Sequence, residues 1–350
     1  MANPPTDAVT SSEQNVNADA YGDMIRMIFG ASIVQVIRCA ALFSLADHAE
    51  RGRITARNFS VAEGLDPDAA ERFLRACTAF GLLSMSDDAG YAGTALLRTL
   101  RSDTPHSLRD LALIQGGPGH WAPWGRLDDA LRTGCTQTEA TLGQSLWDYY
   151  ASDAGRAEGR AVAGAMGGST RDIDAAAEAA VDTTQVKTVV DVGGASGSLV
   201  QALMQGNPAL CGIVLDLPSV IAQVSHQAVA TEIASRLTFV PGSFFGAVPA
   251  ADLYVLRHIL HDWSDAECAV ILRNCRASAR PGARLMLIEL TMASQPSGFA
   301  CQIDLTMLIA AGGRERQPAE YERLLSQAGF RLLATRPLTP THSLFEAVAI

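Results

Sequence analysis

Apolar positions recur at helical spacing through the first half of the chain, whereas from Thr188 onward short apolar runs alternate with helical segments. That alternation is the signature of a doubly wound α/β domain with a largely parallel sheet. Strands are expected at TVVDVG, GIVLDL, LTFVPG, DLYVLRHI and RLMLIEL, then at RLLATRPL and SLFEAVAI as a terminal pair. Between them SLVQALMQ, PSVIAQVSHQAV, DAECAVILRNCRASA and PAEYERLLSQAG have helical pattern.

Ahead of this domain, IRMIFGASIVQVIRCAALFSLADHA is apolar almost all round, so a helix here must be covered on more than one side. A partner chain is the expected cover. Asp66 before Pro67 marks a helix start, and LLSMSDDAGYAGT predicts two short strands around a turn. Helix, helix and hairpin in that order predict a winged-helix module. Residues 1–20 are expected to be a disordered leader, 21–105 the winged-helix-like dimerisation domain, 106–180 an Ala-rich helical connector lining a substrate pocket, and 181–350 the α/β domain. Trp121, Trp124, Trp147, Tyr149 and Tyr150 punctuate the connector.

Composition narrows the partner. A 350-residue chain with 48% hydrophobic and 18% charged residues is an ordinary globular protein, long enough for two domains. A net charge of −10 argues against nucleic acid and anionic membranes, which attract basic surfaces. The candidate recognition helix even carries Asp68 and Glu71 beside its arginines, which disfavours a DNA-binding regulator. Seven scattered cysteines with no CxxC pair or Cys/His cluster predict reduced thiols and no metal site. The N-terminus lacks the basic start and apolar stretch of a secretory signal, so the expected compartment is the cytoplasm. Met27 to Ala46 is a poor membrane span because Arg38 lies inside it, at a cost of about 3 kcal/mol mid-bilayer.

Two constellations carry chemistry. Val189 to Gly197 is an apolar strand running into a glycine-rich turn, which lets a ligand approach the backbone. Asp216 ends the next strand, placed to accept from a ribose diol. A dinucleotide turn requires GxGxxG, but Ala195 stands two positions after Gly193, which disfavours NAD. Asp191 suits a nucleoside bearing a cationic amino-acid moiety. The second constellation, LRHILHDWSDAE, lies at the carboxyl end of the fourth strand, where open α/β sheets place ligands. Ser264 and Glu267 form a capping box, which leaves His261 on the preceding loop. A neutral imidazole with an ordinary pKa near 6.5 is a suitable base for a phenol, given an orienting carboxylate. Glu289 and Glu315 are the available carboxylates. His258 is expected to be structural.

DVGGASG, LRHILHDWSD, IEL and DLTMLIAAGGRERQPAEYERLLSQAGF together resemble the small-molecule O-methyltransferases typified by plant caffeic acid enzymes and bacterial enzymes of antibiotic biosynthesis, over nearly the whole chain from Tyr21. The resemblance implies a Rossmann-like class I methyltransferase domain with an N-terminal, mostly helical winged-helix dimerisation domain. It implies S-adenosylmethionine as cofactor, a homodimer, and a small aromatic, phenolic, secondary-metabolite substrate. His261 becomes the base, flanked by Glu289 and Glu315. Asp191, Gly193 and Gly194 fall near the methionine end of the cofactor and Asp216 with Leu217 at the ribose. Gly242, Ser243, Phe244 and Arg257 fall around the adenine and carboxylate side. Met166, Met307, Asp262 and Trp121 are the implied substrate contacts. Ser243 departs from the family pattern, which has an acidic residue there. That departure keeps open a relative that binds the cofactor but performs hydroxylation, decarboxylation or a pericyclic reaction.

Overall fold

A computed structural model describes residues 11–86, 90–104, 107–169, 171–224, 229–295 and 297–350, without the side chains of 11–18, 86, 166–169 and 171. The chain forms two compact units, one up to Gly116 and one from Gly117. Of the segment 106–180, expected as one connector, the part up to Gly116, with helix Arg109–Gln115, falls in the first unit and the part from Gly117 in the second.

The first unit opens with helix Ser11–Leu42, so residues 11–20, expected in a disordered leader, are helical. No proline or glycine interrupts the chain between Pro5 and Gly22, and helix propagates cheaply from the apolar segment that follows. Residues 1–10 lie outside the description. The apolar stretch 25–49 is two helices rather than one, because Ser44 adopts a left-handed conformation (φ 47°) before Leu45–Arg51. The cover expected within this apolar stretch comes from the chain itself only at its C-terminal part; the rest is left for the expected partner chain. Ala40 and Ala41 are in the core, while Met24, Met27, Ile28 and Phe29 are more than half exposed in the single chain. By length and composition alone, Asp19–Leu42 is able to cross a membrane.

Helix Ala56–Glu63 begins with a Thr55–Asn58 capping box. Helix Pro67–Ala79 begins where the sequence indicates, with Asp66 accepting from Ala69 N at 2.8 Å. Strands β1 (Leu83–Ser86) and β2 (Gly90–Gly93) pair antiparallel. The expected turn residues Asp87, Asp88 and Ala89 lie outside the description. Leu45, Ile54, Phe59, Leu74, Leu83 and Leu97 fill the core of this unit.

The second unit is built on strands β3 (Thr188–Val192), β4 (Cys211–Asp216), β5 (Leu237–Pro241), β6 (Ala251–Arg257), β7 (Ala279–Leu290), β8 (Phe330–Pro337) and β9 (His342–Ala349). They form one sheet in the order β5-β4-β3-β6-β7-β9-β8, with β5, β4, β3, β6 and β7 paired parallel and β9 antiparallel to both of its neighbours, β7 and β8. Both faces are covered, as near-continuous apolar strands require. Val190, Tyr254 and Leu285 pack on one face, and their neighbours Val189, Leu253 and Met286 on the other. From β3 the chain runs outward to β5, then returns to β6 on the opposite side of β3. This reversal opens a crevice at the carboxyl ends of β3 and β6, the place where doubly wound sheets bind ligands.

Helix Pro218–Ile221 covers only the start of the helix expected over PSVIAQVSHQAV, part of which lies outside the description. Helix Gly298–Thr306, continued by a π-helical turn at Met307–Ala311, had no distinct pattern in the sequence. Ile309 and Ala310 of that turn pack with Leu146, Tyr149 and Tyr150 of helix Leu146–Ala151.

Candidate active site

The turn after β3 has Gly193 and Gly197 at φ 74° and Ala195 at φ 48°. At Gly193 a Cβ would sit 2.5 Å from Ile259 Cδ1, and at Gly194 it would sit 2.4 Å from Asp191 Cγ. Glycine at 194 therefore lets the Asp191 carboxyl fold beneath the turn. Ala195, where the resembled family has a third glycine, holds a left-handed conformation that costs an L-residue about 1 kcal/mol. Its N–H donates to Asp216 Oδ2 at 2.8 Å, which ties the turn to the end of β4.

Asp191 is 2% exposed, and its Oδ2 has no partner among the described residues. Burial pushes its pKa up to about 7; Arg257 opposes this and Asp174 adds to it. Asp216, expected to accept from a ribose diol, already accepts from two backbone N–H groups, since Oδ1 takes Leu217 N at 2.7 Å. Burial raises its pKa and those two donors oppose the rise. Each carboxylate oxygen retains a second lone pair for a ligand.

The turn after β5 meets this one. Gly242 N donates to Asp216 O at 2.8 Å, and Ser243 Oγ accepts from Phe245 N at 3.2 Å. Phe244 lies against Gly193, and its ring meets Trp263 edge-on at 5.8 Å. Leu217 caps the short helix after β4 and is partly exposed. The Arg257 guanidinium is paired with the buried carboxylate of Asp174 and donates to Ser198 Oγ at 3.3 Å.

The loop after β6 carries His261. His258 begins it at φ 54°, a strained conformation for a non-glycine residue, and Leu260–Asp262 form one 3-10 turn. The Ser264–Glu267 capping box then starts helix Asp265–Ser278, as the sequence indicates. His261 Nδ1 lies 2.8 Å from Glu315 Oε1, and its Nε2 lies 3.6 Å from Asp262 Oδ1. Burial disfavours the imidazolium, but Asp262, Glu315 and Glu289 together outweigh it and push the His261 pKa up to about 10. The expectation of an ordinary imidazole is thereby corrected, because three carboxylates act on the ring. Asp262 itself is raised to about 6 by burial, with His261 pulling the other way.

Glu289, expected on the imidazole, grips the backbone of the loop. Its Oε1 accepts from Ile259 N at 3.1 Å and Leu260 N at 2.8 Å, and no hydrogen bond joins it to His261 among the described residues. Strand β7 ends directly beneath the loop, so a side chain there meets amides before it meets a ring. His258 stays neutral: burial holds its pKa well below the usual histidine range. Its ring lies 5.5 Å from His261 and 4.8 Å from His342.

Of the expected substrate contacts, Asp262 stands beside His261 Nε2. Met307 begins the π-helical turn and is half-buried. Trp121 lies in helix Pro118–Trp124 at 39% exposure. Met166 sits in helix Arg156–Ser169, with its side chain outside the description. Trp263, Phe245, His120, Asp174 and Arg316 joined the site without being anticipated. Trp263 is the hub of an aromatic cluster with Trp147, Phe244 and Phe245. Tyr150 Oη lies 3.1 Å from Nδ1 of His120, whose pKa burial pushes down to about 4. Asp174 and Arg316 are buried charges in segments that look like solvated helix and turn.

A carboxylate-oriented imidazole beside a crevice lined by buried Asp191 and the Gly193–Gly194 turn is suited to transferring a group from a nucleoside to a deprotonated acceptor. An O-methyltransferase domain matches residues 124–331, and the chain belongs to that family. It is an S-adenosylmethionine-dependent O-methyltransferase. Among its relatives, the mitomycin biosynthesis 6-O-methyltransferase of Streptomyces lavendulae is 30% identical, over 96% of this chain and 94% of the relative. The 3-amino-4-hydroxybenzoate 4-O-methyltransferase of Streptomyces cremeus is 35% identical, over 90% and 87%. Among solved structures, a mitomycin 7-O-methyltransferase superposes with a TM-score of 0.90 at 28% identity, covering 96% of this chain and all of that one. An O-methyltransferase from neocarzinostatin biosynthesis, solved with S-adenosylmethionine and 2-hydroxy-5-methyl naphthoic acid, has a TM-score of 0.80 at 31% identity, covering 91% and 96%.

Proposed function

We propose that this enzyme methylates a phenolic hydroxyl of a small aromatic secondary metabolite, with His261 as general base. The contact that carries this reading is His261 Nδ1 to Glu315 Oε1 at 2.8 Å, which fixes the tautomer and leaves Nε2 for the substrate proton. A phenol ionises near 10, so an imidazole pushed up to about 10 is matched to it in proton affinity. Asp262, beside Nε2, steadies the imidazolium once the proton arrives.

The cofactor site fits its ligand. Asp191 is a buried carboxylate with an oxygen lacking a partner among the described residues, and a cationic amino-acid moiety would supply that partner. Asp191, Gly193, Gly194 and Asp216 would hold the cofactor, with Leu217, Gly242, Ser243 and Phe244 on the nucleoside side and Arg257 acting through Asp174. Bound S-adenosylmethionine supplies an electrophilic methyl group on a sulfonium. The protein contributes alignment and proton removal, and alignment alone is worth several kcal/mol in such reactions, on the order of 7 or more. Met307, Trp121, Met166 and Asp262 are the proposed substrate contacts.

The test is a panel of hydroxyarenes with S-adenosylmethionine labelled in its methyl group. Labelled aryl methyl ether is the expected product; substrate consumed without label transfer would establish the non-methylating alternative. Support for a homodimer comes from the exposed apolar run of Tyr21, Met24, Met27, Ile28 and Phe29, larger than scattered surface residues need be. Sedimentation at micromolar concentration should give a dimer of cytoplasmic protein, and a monomer would overturn that part.

A further inference from the structure

Arg316 is fully buried, and a guanidinium that cannot reach water must be paired on every side. Its Nη1 donates to Leu260 O at 2.7 Å and its Nη2 to Trp263 O at 2.7 Å, two carbonyls that bracket His261 in the chain. Nε and Nη2 also reach Asp265 Oδ1, at 3.0 and 2.9 Å. The neighbouring backbone is joined to the same loop, because Arg314 N donates to His261 O at 2.8 Å. Gly313 makes this approach possible: a Cβ there would lie 2.0 Å from His261 O.

Consecutive side chains thus divide the work. Glu315 takes the imidazole, while Arg316 takes the backbone on either side of it. From below, Glu289 holds the Ile259 and Leu260 amides. The amides and carbonyls of one short turn are pinned from two elements, so the imidazole is presented by a turn with little freedom to tilt.

We propose that Arg316 is a positioning residue, a planar clamp that sets the distance and angle between the His261 ring and the Glu315 carboxylate. The planar guanidinium reaches both carbonyls and Asp265 from three separate nitrogens, whereas a lysine ammonium has its three donors on a single nitrogen and does not span the same acceptors. The effect on turnover rests on His261 being the base; the clamp on the ring does not.

The experiment compares wild type with Arg316→Lys, with folding checked by circular dichroism and S-adenosylmethionine binding measured by calorimetry. A folded variant is expected to bind the cofactor within about twofold and to keep its KM for the phenol. Its kcat should fall roughly 10- to 100-fold, the loss that misplacement of a reacting group by about 1 Å produces. The His261 ring, titrated by NMR, should drop by about one pH unit or more toward the ordinary value as its carboxylate contact loosens. A folded Arg316→Lys enzyme with unaltered turnover, or with lowered turnover and an unmoved His261 titration, would overturn the clamp. If Arg316→Lys does not fold, Asp265→Asn weakens the fork from its exposed side. It should then move the same titration in the same direction, and an unmoved ring sinks the proposal. Because the ring titration needs no turnover, a failure of His261 as base and a failure of the clamp are read separately.

Discussion

Alanine at His261 is expected to lower turnover by about 10²- to 10⁴-fold, the contribution usual for a general base. Cofactor affinity should hold within about twofold, because the groups assigned to it, Asp191, Asp216 and the Gly193–Gly194 turn, belong to β3, β4 and their loops. Single-turnover kinetics with saturating S-adenosylmethionine, set beside calorimetric binding, separates the two effects. The truncation removes a half-buried ring and releases Glu315, so the variant must be shown to fold before its rate is interpreted. Retention of full activity would mean that the substrate proton leaves by another route. Loss of cofactor binding in step with activity would mean that the ring shapes the crevice rather than serving as base.

The second large effect is in the pH profile. The rate parameter kcat/KM reports ionisations of the free enzyme and free substrate, and a base must be unprotonated to act. With the His261 pKa pushed up to about 10, kcat/KM should climb with pH from neutrality to about 10 before levelling. A phenol substrate titrates in the same range, so the wild-type curve alone does not assign the limb. Asp262→Asn does. Asp262 is one of the carboxylates that raise His261, so its neutralisation lowers the His261 pKa and moves the limb to lower pH, while the phenol is unchanged. Initial rates at low substrate across pH 6 to 10.5, on the order of one rate per half unit, resolve the shift. A limb identical in the two enzymes would show that it belongs to the substrate.

What the sequence made legible follows from how local each cause is. The strands of the sheet, the Asp66–Pro67 helix start and the Ser264–Glu267 box depend on residues within a few positions of one another, and all stand within a residue or two of where they were expected. β7 is the exception: it starts at Ala279, ahead of the apolar run that revealed it. The pairing of His261 with Glu315 was open between two carboxylates 26 positions apart. Only the tertiary placement of β7 under the loop and of 313–316 along it decides which oxygen meets the ring. Arg257 shows the same limit from the other side, since nothing near it in the chain announces Asp174, 83 residues away. Arg316 was invisible for a plainer reason: a charged residue in a Gly-Gly-Arg turn has the composition of solvent-exposed chain. The pKa of His261 was equally beyond reach, being the sum of charges from three separate segments.

β9 follows β8 along the chain yet lies between β8 and β7. The outermost strand is therefore finished first but has nowhere to dock until its successor has been synthesised and slotted in beside β7. A chain in which β9 has not yet docked displays a sheet whose β7 margin is open and an unpaired β8, both ready to pair with another polypeptide. Chaperone occupancy during translation should accordingly persist to the final residues of β9, long after the crevice-forming strands have emerged.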